Sequence, residues 1–545
     1  MPIGTQSIEF LNQLEIAELE LLNWGLVDGF FDERELETKA DEFLVTIQSR
    51  GEAPVCTDGW QLLETLLDAR LLWRIPGTRR YRTRMAEAVR LFSRLRQIFP
   101  DRNWQAWRSS PNLVADYRLQ VRPRLYPLRE VDSQTLIERL KSAVPIAALQ
   151  EDVFRALIGS GAGQKRLLRQ FQCRAAERIL RATREGRASG TIVSAGTGSG
   201  KTLAFYLPCF AVMAPHVSKE HWTKCIALYP RSELLKDQMR EALANTKSLA
   251  PVLAAAGKRK LVVAALYSDV PYNTQAVVTN EAWPPLNVRG LRAHECPLVR
   301  CPSCNGKLAW LVKDIESETE RLVCSECAVT IESDEIRLTR VRLLREPPDV
   351  LFTSTEMLNQ RLSASRFSPL FGIGLRAERR PLFVLIDEVH AYEGTHGAHV
   401  AFLLRRWRRA ADATCHFVGL SATLADAPRF FSDLLGIGAG DVSEIAPDPE
   451  ELAPEGAEYL LALRGDPASG TSLLSTSIQS LMLLRRILER DYRTDLGNRV
   501  FSFTDNLDVV ICLVSSSIAT VIRQRYHGPR SHCCAPTRAS FPLKK

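Results

Sequence analysis

The stretch SAGTGSGKT, residues 194–202, indicates the fold of a large part of this 545-residue chain. It overlaps the end of the apolar run TIVSA and the start of the run TLAFYLPCF, so it joins a predicted strand to a predicted helix. Its spacing fits the pattern G-x-x-x-x-G-K-[ST] when Ala195 takes the place of the first glycine. Glycines let such a loop turn its N–H groups toward a phosphate, and the helix start adds a favourable dipole. The stretch therefore predicts a phosphate-binding loop.

The side chains of this loop predict a site for ATP and Mg²⁺. Lys201 is expected to reach the β- and γ-phosphates, and the Thr202 hydroxyl is expected to bind the magnesium ion. The residues expected to surround the phosphates are Gly196, Thr197, Gly198, Ser199 and Gly200.

A second apolar run, PLFVLIDEVH at residues 381–390, ends in two acidic residues. Uncompensated carboxylates are unfavourable in a buried strand, so their position at its end favours a functional role. Asp387 is expected to hold Mg²⁺, and Glu388 is expected to activate the water that attacks ATP. Lys201, Asp387 and Glu388 are therefore the candidate catalytic residues.

Short apolar runs alternate with helical stretches from about residue 150 onward. Continuous apolar strands separated by helices are typical of a parallel sheet that is covered on both faces. We therefore expect an α/β, doubly wound fold with ligands at the carboxyl ends of its strands. The runs that predict strands are TIVSA, CIALYP, LVVAAL, DVLFTS, PLFVLIDE and HFVGLSA.

Three short motifs resemble those of a known enzyme family. GTGSGKT, DEVH and SAT (residues 421–423) occur in the order of motifs I, II and III of superfamily 2 helicases of the DEAD/DEAH-box class. Gln172, upstream of the loop, is similar to the glutamine that reads adenine in that family. The resemblance implies a P-loop, RecA-like domain, in which Ser421 and Thr423 couple the phosphate site to bound nucleic acid.

Further segments resemble the nucleic-acid motifs of the same family. YPRSELLKDQ (229–238) is similar to motif Ia, and TSTEML (353–358) is similar to motif Ib. His390 is implied to bridge to a neighbouring domain, with a plain structural hydrogen bond as the alternative. The residues implied to contact phosphates are Pro230, Arg231, Thr353 and Thr355, and ordinary loop structure is an equal interpretation for each.

The segment 387–409 resembles the branch of repair and phage-defence helicases that end in a cysteine-rich module. This resemblance implies an ATP-dependent helicase or translocase that acts on nucleic acid, with DNA expected, and protein partners from a defence or repair system. Two alternatives stay open. One is a protein that binds ATP and nucleic acid without productive unwinding, and the other is a double-strand translocase.

Five of the thirteen cysteines lie between residues 296 and 327. CPSC and CSEC are two C-x₂-C pairs separated by nineteen residues, a spacing that suits four thiolates around tetrahedral Zn²⁺. Four protein ligands leave no open position, so the metal is expected to be structural, within a zinc ribbon at about 290–335. Nucleic-acid contact, partner docking and simple stabilisation of a long loop all remain open as its purpose. The predicted ligands are Cys301, Cys304, Cys324 and Cys327.

The net charge of +8 is unevenly distributed. Residues 70–129 contain fifteen arginines against three acidic residues. Such a zone is typical either of a surface for a phosphate backbone or of a solvated helical face with paired charges. No apolar run has the length of a membrane span, and the N-terminus has no secretory pattern, so a cytoplasmic protein without a membrane partner is expected.

Composition and the resemblance to these helicases together predict four regions. They are a helical, Arg-rich accessory region (1–150), the ATP-binding domain with its zinc insertion (151–440), an acidic, Pro-rich linker (441–474) and an incomplete second RecA-like domain with an aberrant tail (475–545). RVFSFTD (499–505) resembles motif IV of that second domain, but no arginine motif of the type QxxGRxGR follows it. We expect a truncated or frameshifted chain after about residue 510, with completion by a partner chain as the alternative.

Overall fold

The computed structural model describes residues 4–97, 109–159, 166–196, 198–422, 424–488 and residue 503. The chain divides into two compact units. The first comprises Met1–Arg124 and Gly456–Lys545, and the second comprises Leu125–Glu455. The predicted motif IV strand and the tail after it lie outside the described residues, apart from residue 503.

The N-terminal part of the first unit combines four helices with a small antiparallel sheet. Its three strands have the order β1-β3-β2. The helices are α1 (Thr5–Asn23), α2 (Glu33–Ser49), α3 (Gly59–Asp68) and α4 (Arg84–Ser93), and the strands are β1 (Phe31–Asp32), β2 (Leu72–Arg74), β3 (Arg80–Thr83) and the longer β4 (Val114–Pro127). This region, expected to be mostly helical, therefore also contains strands, since polar runs such as RYRT show no apolar signal.

Two carboxyl groups are buried beside the core of the first unit. Glu18 accepts hydrogen bonds from the Thr83 N–H (3.1 Å) and from the Thr83 hydroxyl. Glu15 accepts a hydrogen bond from the Tyr459 hydroxyl. Burial raises the pKa of Glu15 and of Glu18 to about 7, although these hydrogen bonds oppose the shift. Both groups therefore make the first unit sensitive to pH.

The second unit is built on alternating helices and strands. The helices are α5 (Ser133–Ala143), α6 (Ala148–Gly159), α7 (Gln170–Ala182), α8 (Lys201–Met213), α9 (Ser232–Ala255), α10 (Val312–Glu316), α11 (Arg340–Arg345), α12 (Thr355–Leu362), α13 (Gly394–Ala411) and α14 (Ala427–Leu435). The strands are β5 (Ser189–Ser194), β6 (Cys225–Leu228), β7 (Val263–Leu266), β8 (Pro285–Val288), β9 (Leu291–Glu295), β10 (Leu308–Leu311), β11 (Leu322–Cys324), β12 (Thr330–Ile331), β13 (Ile336–Arg337), β14 (Val350–Thr353), β15 (Phe383–Ile386), β16 (His416–Ser421) and β17 (Val442–Ile445).

The main sheet of the second unit has eight strands in the order β13-β7-β14-β6-β15-β16-β5-β17. Every pairing between neighbours is parallel. The inner strands are buried along their whole length because their sequences, such as FVLI in β15 and CIAL in β6, are continuously apolar. The predicted parallel α/β fold is confirmed.

Both outermost strands of this sheet escaped the sequence prediction. β13 has two residues, and β17 has the sequence VSEI within the stretch that composition assigns to a linker. Edge strands are covered on fewer sides and need less apolar sequence than central strands. β17 pairs with β5 over Val442–Ile445, so this part of the predicted linker belongs to the sheet.

A five-stranded antiparallel ribbon, β12-β11-β10-β9-β8, is inserted between β7 and β14. Trp283 and Trp310 pack at its base with ring centroids 5.9 Å apart. Lys247 of α9 donates to the Thr330 carbonyl at 2.9 Å. These contacts attach the ribbon to the main domain.

The chain returns to the first unit through β18 (Leu452–Gly465), which pairs with β4, and α15 (Leu473–Ile487) follows. Within the first unit, the Asp466 N–H donates to the Leu113 carbonyl at 2.9 Å. None of the helices in the described ranges combines the length and apolar character needed to cross a bilayer.

Candidate functional site

The phosphate loop joins the end of β5 to the start of α8, as its sequence predicts. Gly198 and Gly200 have φ values of +79° and +81°, which glycine adopts without strain. A Cβ atom on Gly200 would lie 2.8 Å from Nε2 of Gln172. Leu203 N donates to the Gly200 carbonyl at 3.2 Å, so the helix begins directly at the loop. Thr197 lies outside the described residues.

The neighbouring strands bring the other motifs to the same edge of the sheet. β5 lies next to β16, and Ala195 N donates to the Ser421 carbonyl at 3.3 Å. Asp387 follows β15, and its N–H donates to the Leu228 carbonyl at the end of β6 at 3.1 Å. Because all these strands are parallel, their carboxyl ends share one edge. Thr423 lies outside the described residues.

A cavity of about 670 Å³ lies at this edge. Its volume is within the range of ordinary small-molecule sites. Of the predicted site residues, Gly198, Gly200, Lys201, Thr202 and Glu388 line it. The remaining lining residues are Arg166, Leu203, Pro230, Arg231, Leu234, Glu241, His390, Ala391 and Ala422.

Lys201 and the two carboxylates influence one another electrostatically. Burial lowers the pKa of Lys201, while Glu388 and Asp387 oppose that shift. Burial raises the pKa of Asp387 to about 6. The Glu388 N–H donates to the Asp387 carboxylate at 2.8 Å and opposes this shift, whereas the negative charge of Glu388 increases the shift. The structure thus brings the three predicted catalytic residues together.

His390 connects motif II to motif III within the second unit. Its Nδ1 lies 3.3 Å from the Ser421 hydroxyl and 3.4 Å from a Glu388 carboxylate oxygen. The two expectations for His390 were a bridge to a neighbouring domain and a plain structural hydrogen bond. The contact with Ser421 is a hydrogen bond of the second kind.

Gln172 lies beside the loop, but its side chain is buried and already bonded. Its Oε1 accepts from the Arg169 N–H at 2.9 Å, and its Nε2 donates to the Gly200 carbonyl at 2.9 Å. Contact with adenine stays a prediction. Arg169 was not predicted, yet its guanidinium donates to the Ser199 carbonyl and to the Pro127 carbonyl.

Two further lining residues carried no signal in the sequence. Glu241 lies in the middle of α9, and Arg166 precedes α7. Burial raises the pKa of Glu241, and Arg166 opposes that shift. An isolated charged residue in an ordinary helix cannot be distinguished from surface charge by pattern alone.

The residues of motifs Ia and Ib lie after β6 and β14. Pro230 and Arg231 line the cavity. Thr353 is buried, and its hydroxyl donates to the Leu266 carbonyl of β7 at 2.7 Å. Thr355, the first residue of α12, is also buried. The Thr353 hydroxyl thus joins two strands in this structure.

The four predicted zinc ligands converge on the ribbon. The sulfur atoms of Cys301, Cys304, Cys324 and Cys327 all lie within 4.8 Å of one another. Sγ of Cys301 lies 3.6 Å from that of Cys327, and the Cys304–Cys324 distance is 3.4 Å. Tetrahedral Zn²⁺ with Zn–S bonds of about 2.3 Å separates its sulfurs by about 3.8 Å. Cys296 stands outside this group as a buried thiol, and burial raises its pKa to about 12.

Several arginines of the 70–129 zone are paired with carboxylates in the first unit. Arg82 is 5% exposed, and it donates to Glu87 at 2.7 Å. Arg79 and Arg80 pair with Glu33 and Asp32, each at 3.5 Å. Of the two interpretations of this zone, the paired charges agree with a structural face.

The comparisons with known proteins point to one family. The family model described as DEAD/DEAH box helicase matches residues 169–282. The chain contains a DEAD/DEAH box helicase domain. The resemblance of its motifs to that class is thereby confirmed.

Two curated relatives are similar to this chain over a small part of their own length. The ATP-dependent helicase hrq1 of Schizosaccharomyces pombe is 34% identical over 114 residues, which cover 20% of this chain and 10% of hrq1. Druantia protein DruE of Escherichia coli is 26% identical over 342 residues, which cover 54% of this chain and 18% of DruE. The chain therefore spans less than a fifth of either relative.

Among solved structures, that of the DUF1998 helicase MrfA bound to DNA has a TM-score of 0.42 with this chain at 15% identity. The alignment covers 77% of this chain and 43% of MrfA.

Proposed function

We propose that this chain is the ATP-binding part of a nucleic-acid helicase or translocase that acts on DNA. One observation carries the proposal. Lys201, Thr202 and Glu388 line one cavity at the carboxyl edge of a parallel sheet, and the motif II and motif III strands end at that edge. The family and the names of the relatives agree with ATP-dependent helicase activity.

The residues present fit ATP and Mg²⁺. Gly198 and Gly200 hold the turn of the loop at positive φ values that other residues rarely adopt, and the cavity volume suits a nucleotide. Burial disfavours the protonated form of Lys201, so the negative charge of nearby phosphates would stabilise its ammonium group. Thr202 and Asp387 offer the oxygen ligands that Mg²⁺ prefers. When bound, Mg²⁺ supplies positive charge that offsets the charge on the phosphates.

The chain's own residues account for hydrolysis as follows. Lys201 holds the β- and γ-phosphates, which positions the γ-phosphate for in-line attack. Glu388 accepts the proton of the attacking water as the bond from the γ-phosphate to ADP breaks. His390, which contacts both Glu388 and Ser421, connects the hydrolytic carboxylate to motif III. We propose that movement of His390 and Ser421 links ATP hydrolysis to bound nucleic acid.

The test compares ATP turnover by the purified chain with and without single-stranded DNA, RNA and duplex DNA. Glu388→Gln is expected to keep ATP binding and to lower turnover by about 10²- to 10⁴-fold. Glu378→Gln, at an exposed position outside the site, is the matched control. Equal turnover in both variants would refute the assignment of Glu388.

Two alternatives are separated by the same assays. ATP binding without nucleic-acid-stimulated turnover would favour a protein that holds ATP and nucleic acid without productive unwinding. Stimulated turnover without strand displacement would favour a double-strand translocase. If the wild-type chain does not bind ATP, and Lys201→Ala behaves in the same way, the nucleotide site itself is refuted. A place in repair or phage defence rests on the resemblance of residues 387–409.

We also propose that the four-cysteine group holds a structural Zn²⁺. The convergence of four thiols from two C-x₂-C pairs supports this, because unligated thiols have no reason to meet in this way. Metal analysis of the purified chain is expected to give one zinc per chain. The double variant Cys304→Ser/Cys324→Ser is expected to give none, and Cys296→Ser is the control. Zinc retained by the double variant would refute the site.

A further inference from the structure

Three arginines from three different elements meet beyond the carboxyl ends of β7 and β14. Arg340 begins α11, Arg361 lies near the end of α12, and Arg366 lies in the 3₁₀ helix Ser365–Phe371. The guanidinium groups of Arg361 and Arg366 lie 5.0 and 5.1 Å from the ring centroid of Phe367. We refer to these three arginines as the arginine cluster.

Backbone carbonyls hold the cluster at the end of β7. Arg340 donates through Nη2 to the carbonyls of Tyr267 and Ser268, at 3.4 and 3.2 Å. The Nε atoms of Arg340 and Arg361 are buried, and neither has a hydrogen-bond partner among the described residues. Phe367, beneath the other two guanidinium groups, is itself buried. Arg340 and Arg361 are thus partly buried and packed in place, while Arg366 is exposed.

No carboxylate of the described residues forms an ion pair with the arginine cluster. Arg342 and Arg345 on the same helix α11, in contrast, both pair with Glu346. Burial lowers the pKa of Arg340, and the charges of Arg361 and Arg366 lower it further. Like charges held together without a counter-charge are unfavourable, so a bound anion would stabilise this arrangement. Its chemistry suits an oxyanion such as a phosphate.

An exposed aromatic side chain lies beside the cluster. Arg340 N donates to the Pro271 carbonyl at 2.9 Å, and Val341 N donates to the Tyr272 carbonyl at 3.0 Å. The Tyr272 side chain is 51% exposed and that of Val341 is 42% exposed. Guanidinium groups next to an exposed aromatic ring are the two components that single-stranded nucleic acid requires, for its phosphates and for its bases.

The position in the sheet agrees with this ligand. β14 lies four strand spacings from β5, which places its end about 19 Å along the edge from the phosphate loop, at ~4.8 Å per spacing. The cluster therefore shares the edge of the ATP site without overlapping it. A strand of nucleic acid that runs along this edge would pass both motif Ib and the cluster.

We propose that Arg340, Arg361 and Arg366 bind a backbone phosphate of single-stranded nucleic acid, while Tyr272 stacks on an adjacent base. This rests on the proposed function and adds a contact site outside the motif residues. A free phosphate ion would use the arginines alone and would leave the exposed ring without a function.

The test measures binding of a fluorescent single-stranded oligonucleotide by the full chain as a function of salt. Each phosphate contact contributes about 0.7 to the slope of log K against log[salt] for single strands. Arg361→Gln/Arg366→Gln is expected to weaken binding and to reduce that slope by at most about 0.7, because the cluster holds a single phosphate. Arg361→Lys/Arg366→Lys is expected to keep the slope. Arg345→Gln, 70% exposed and on α11, is the matched control.

Tyr272→Ala supplies an independent readout. Loss of one stacked base weakens affinity by about 5- to 150-fold without changing the slope, because no charge is removed. All variants are expected to bind a fluorescent ATP analogue with wild-type affinity, which shows that they are folded. Wild-type binding and slope in the Gln/Gln variant, when the wild-type chain binds the oligonucleotide, would overturn the cluster. Failure of the wild-type chain to bind any single strand would overturn the proposed function, and the cluster with it.

Discussion

Asp349 is expected to be among the costliest residues to replace in the helicase domain. It is fully buried, and it accepts from Nζ of Lys224 at 2.7 Å, from both terminal nitrogens of Arg259 at 2.6 and 2.9 Å, and from Val262 N at 2.8 Å. Lys224 is also fully buried. Asp349, Lys224 and Val262 directly precede β14, β6 and β7, so one carboxylate joins the amino ends of three adjacent strands.

Asp349→Ala would leave the Lys224 ammonium buried without its counter-charge. Removal of one partner from a buried ion pair costs about 3–5 kcal/mol, and the released Val262 N–H adds about 1–3 kcal/mol if it stays unsatisfied. We therefore expect a loss of at least about 3 kcal/mol. Asp334→Ala is the control, because Asp334 is 61% exposed and pairs with Lys260, a surface contact worth about 0–1 kcal/mol.

Hydrogen exchange of the backbone amides in β6, β7 and β14 measures the free energy of opening at the affected strands. Replacement of the pair by apolar residues, Lys224→Met with Asp349→Leu, is expected to recover part of the loss, since the fully buried ammonium is removed together with its partner, while Arg259, 19% exposed, keeps the carbonyls of Ser218, Glu220 and Lys260 as acceptors. A change below about 1 kcal/mol in Asp349→Ala, equal to that in the control, would refute the reasoning.

Two other predictions concern the loop and the buried carboxyl groups. Gly200→Ala is expected to weaken binding of a fluorescent ATP analogue by about tenfold or more, because its Cβ would meet Gln172 Nε2 at 2.8 Å. Gly257→Ala is the control, because Gly257 also has a positive φ but no atom lies within 4 Å of where its Cβ would be. This variant should lose comparable stability and keep the wild-type affinity for ATP. Equal ATP affinities of the two variants would contradict the steric explanation. The raised pKa of Glu18, about 7 against 4.5, contributes stability that is complete below pH 4.5 and is lost as the pH rises through 7, an effect of about 3 kcal/mol. Glu18→Gln should therefore flatten the pH dependence of amide exchange in α1, and an unchanged dependence would exclude Glu18 as its source.

The central sheet was predictable because burial on both faces requires continuously apolar strands. The strands β6, β7, β14 and β15 are almost entirely apolar, and β5 and β16 combine apolar residues with a few buried polar ones. The motifs follow these strands directly, so parallel pairing alone brings Lys201, Asp387 and Ser421 to one edge. Local sequence therefore carried both the strand positions and most of the site.

The rest depends on contacts between residues far apart in the chain. Arg169 reaches the loop residue Ser199, thirty positions away, and Glu241 enters the cavity from the middle of a helix. Gln172 matches the adenine-reading position, yet the structure uses its amide to hold Gly200 and Arg169. No local pattern records which polar groups a side chain will meet after folding.

The arginines show most clearly why composition alone is a poor guide to binding sites. The densest arginine zone drew attention in the sequence, yet Arg79, Arg80 and Arg82 all meet carboxylates, two of them supplied by the short stretch around β1. Arg361 and Arg366 stand in an unremarkable segment, and folding brings them together without an acidic partner in the described part of the chain. A paired arginine must break an ion pair before it can hold a phosphate, whereas a cluster without a counter-charge gains from binding one. The absence of compensation, rather than the number of positive charges, therefore selects the edge of the helicase domain as the surface to test first.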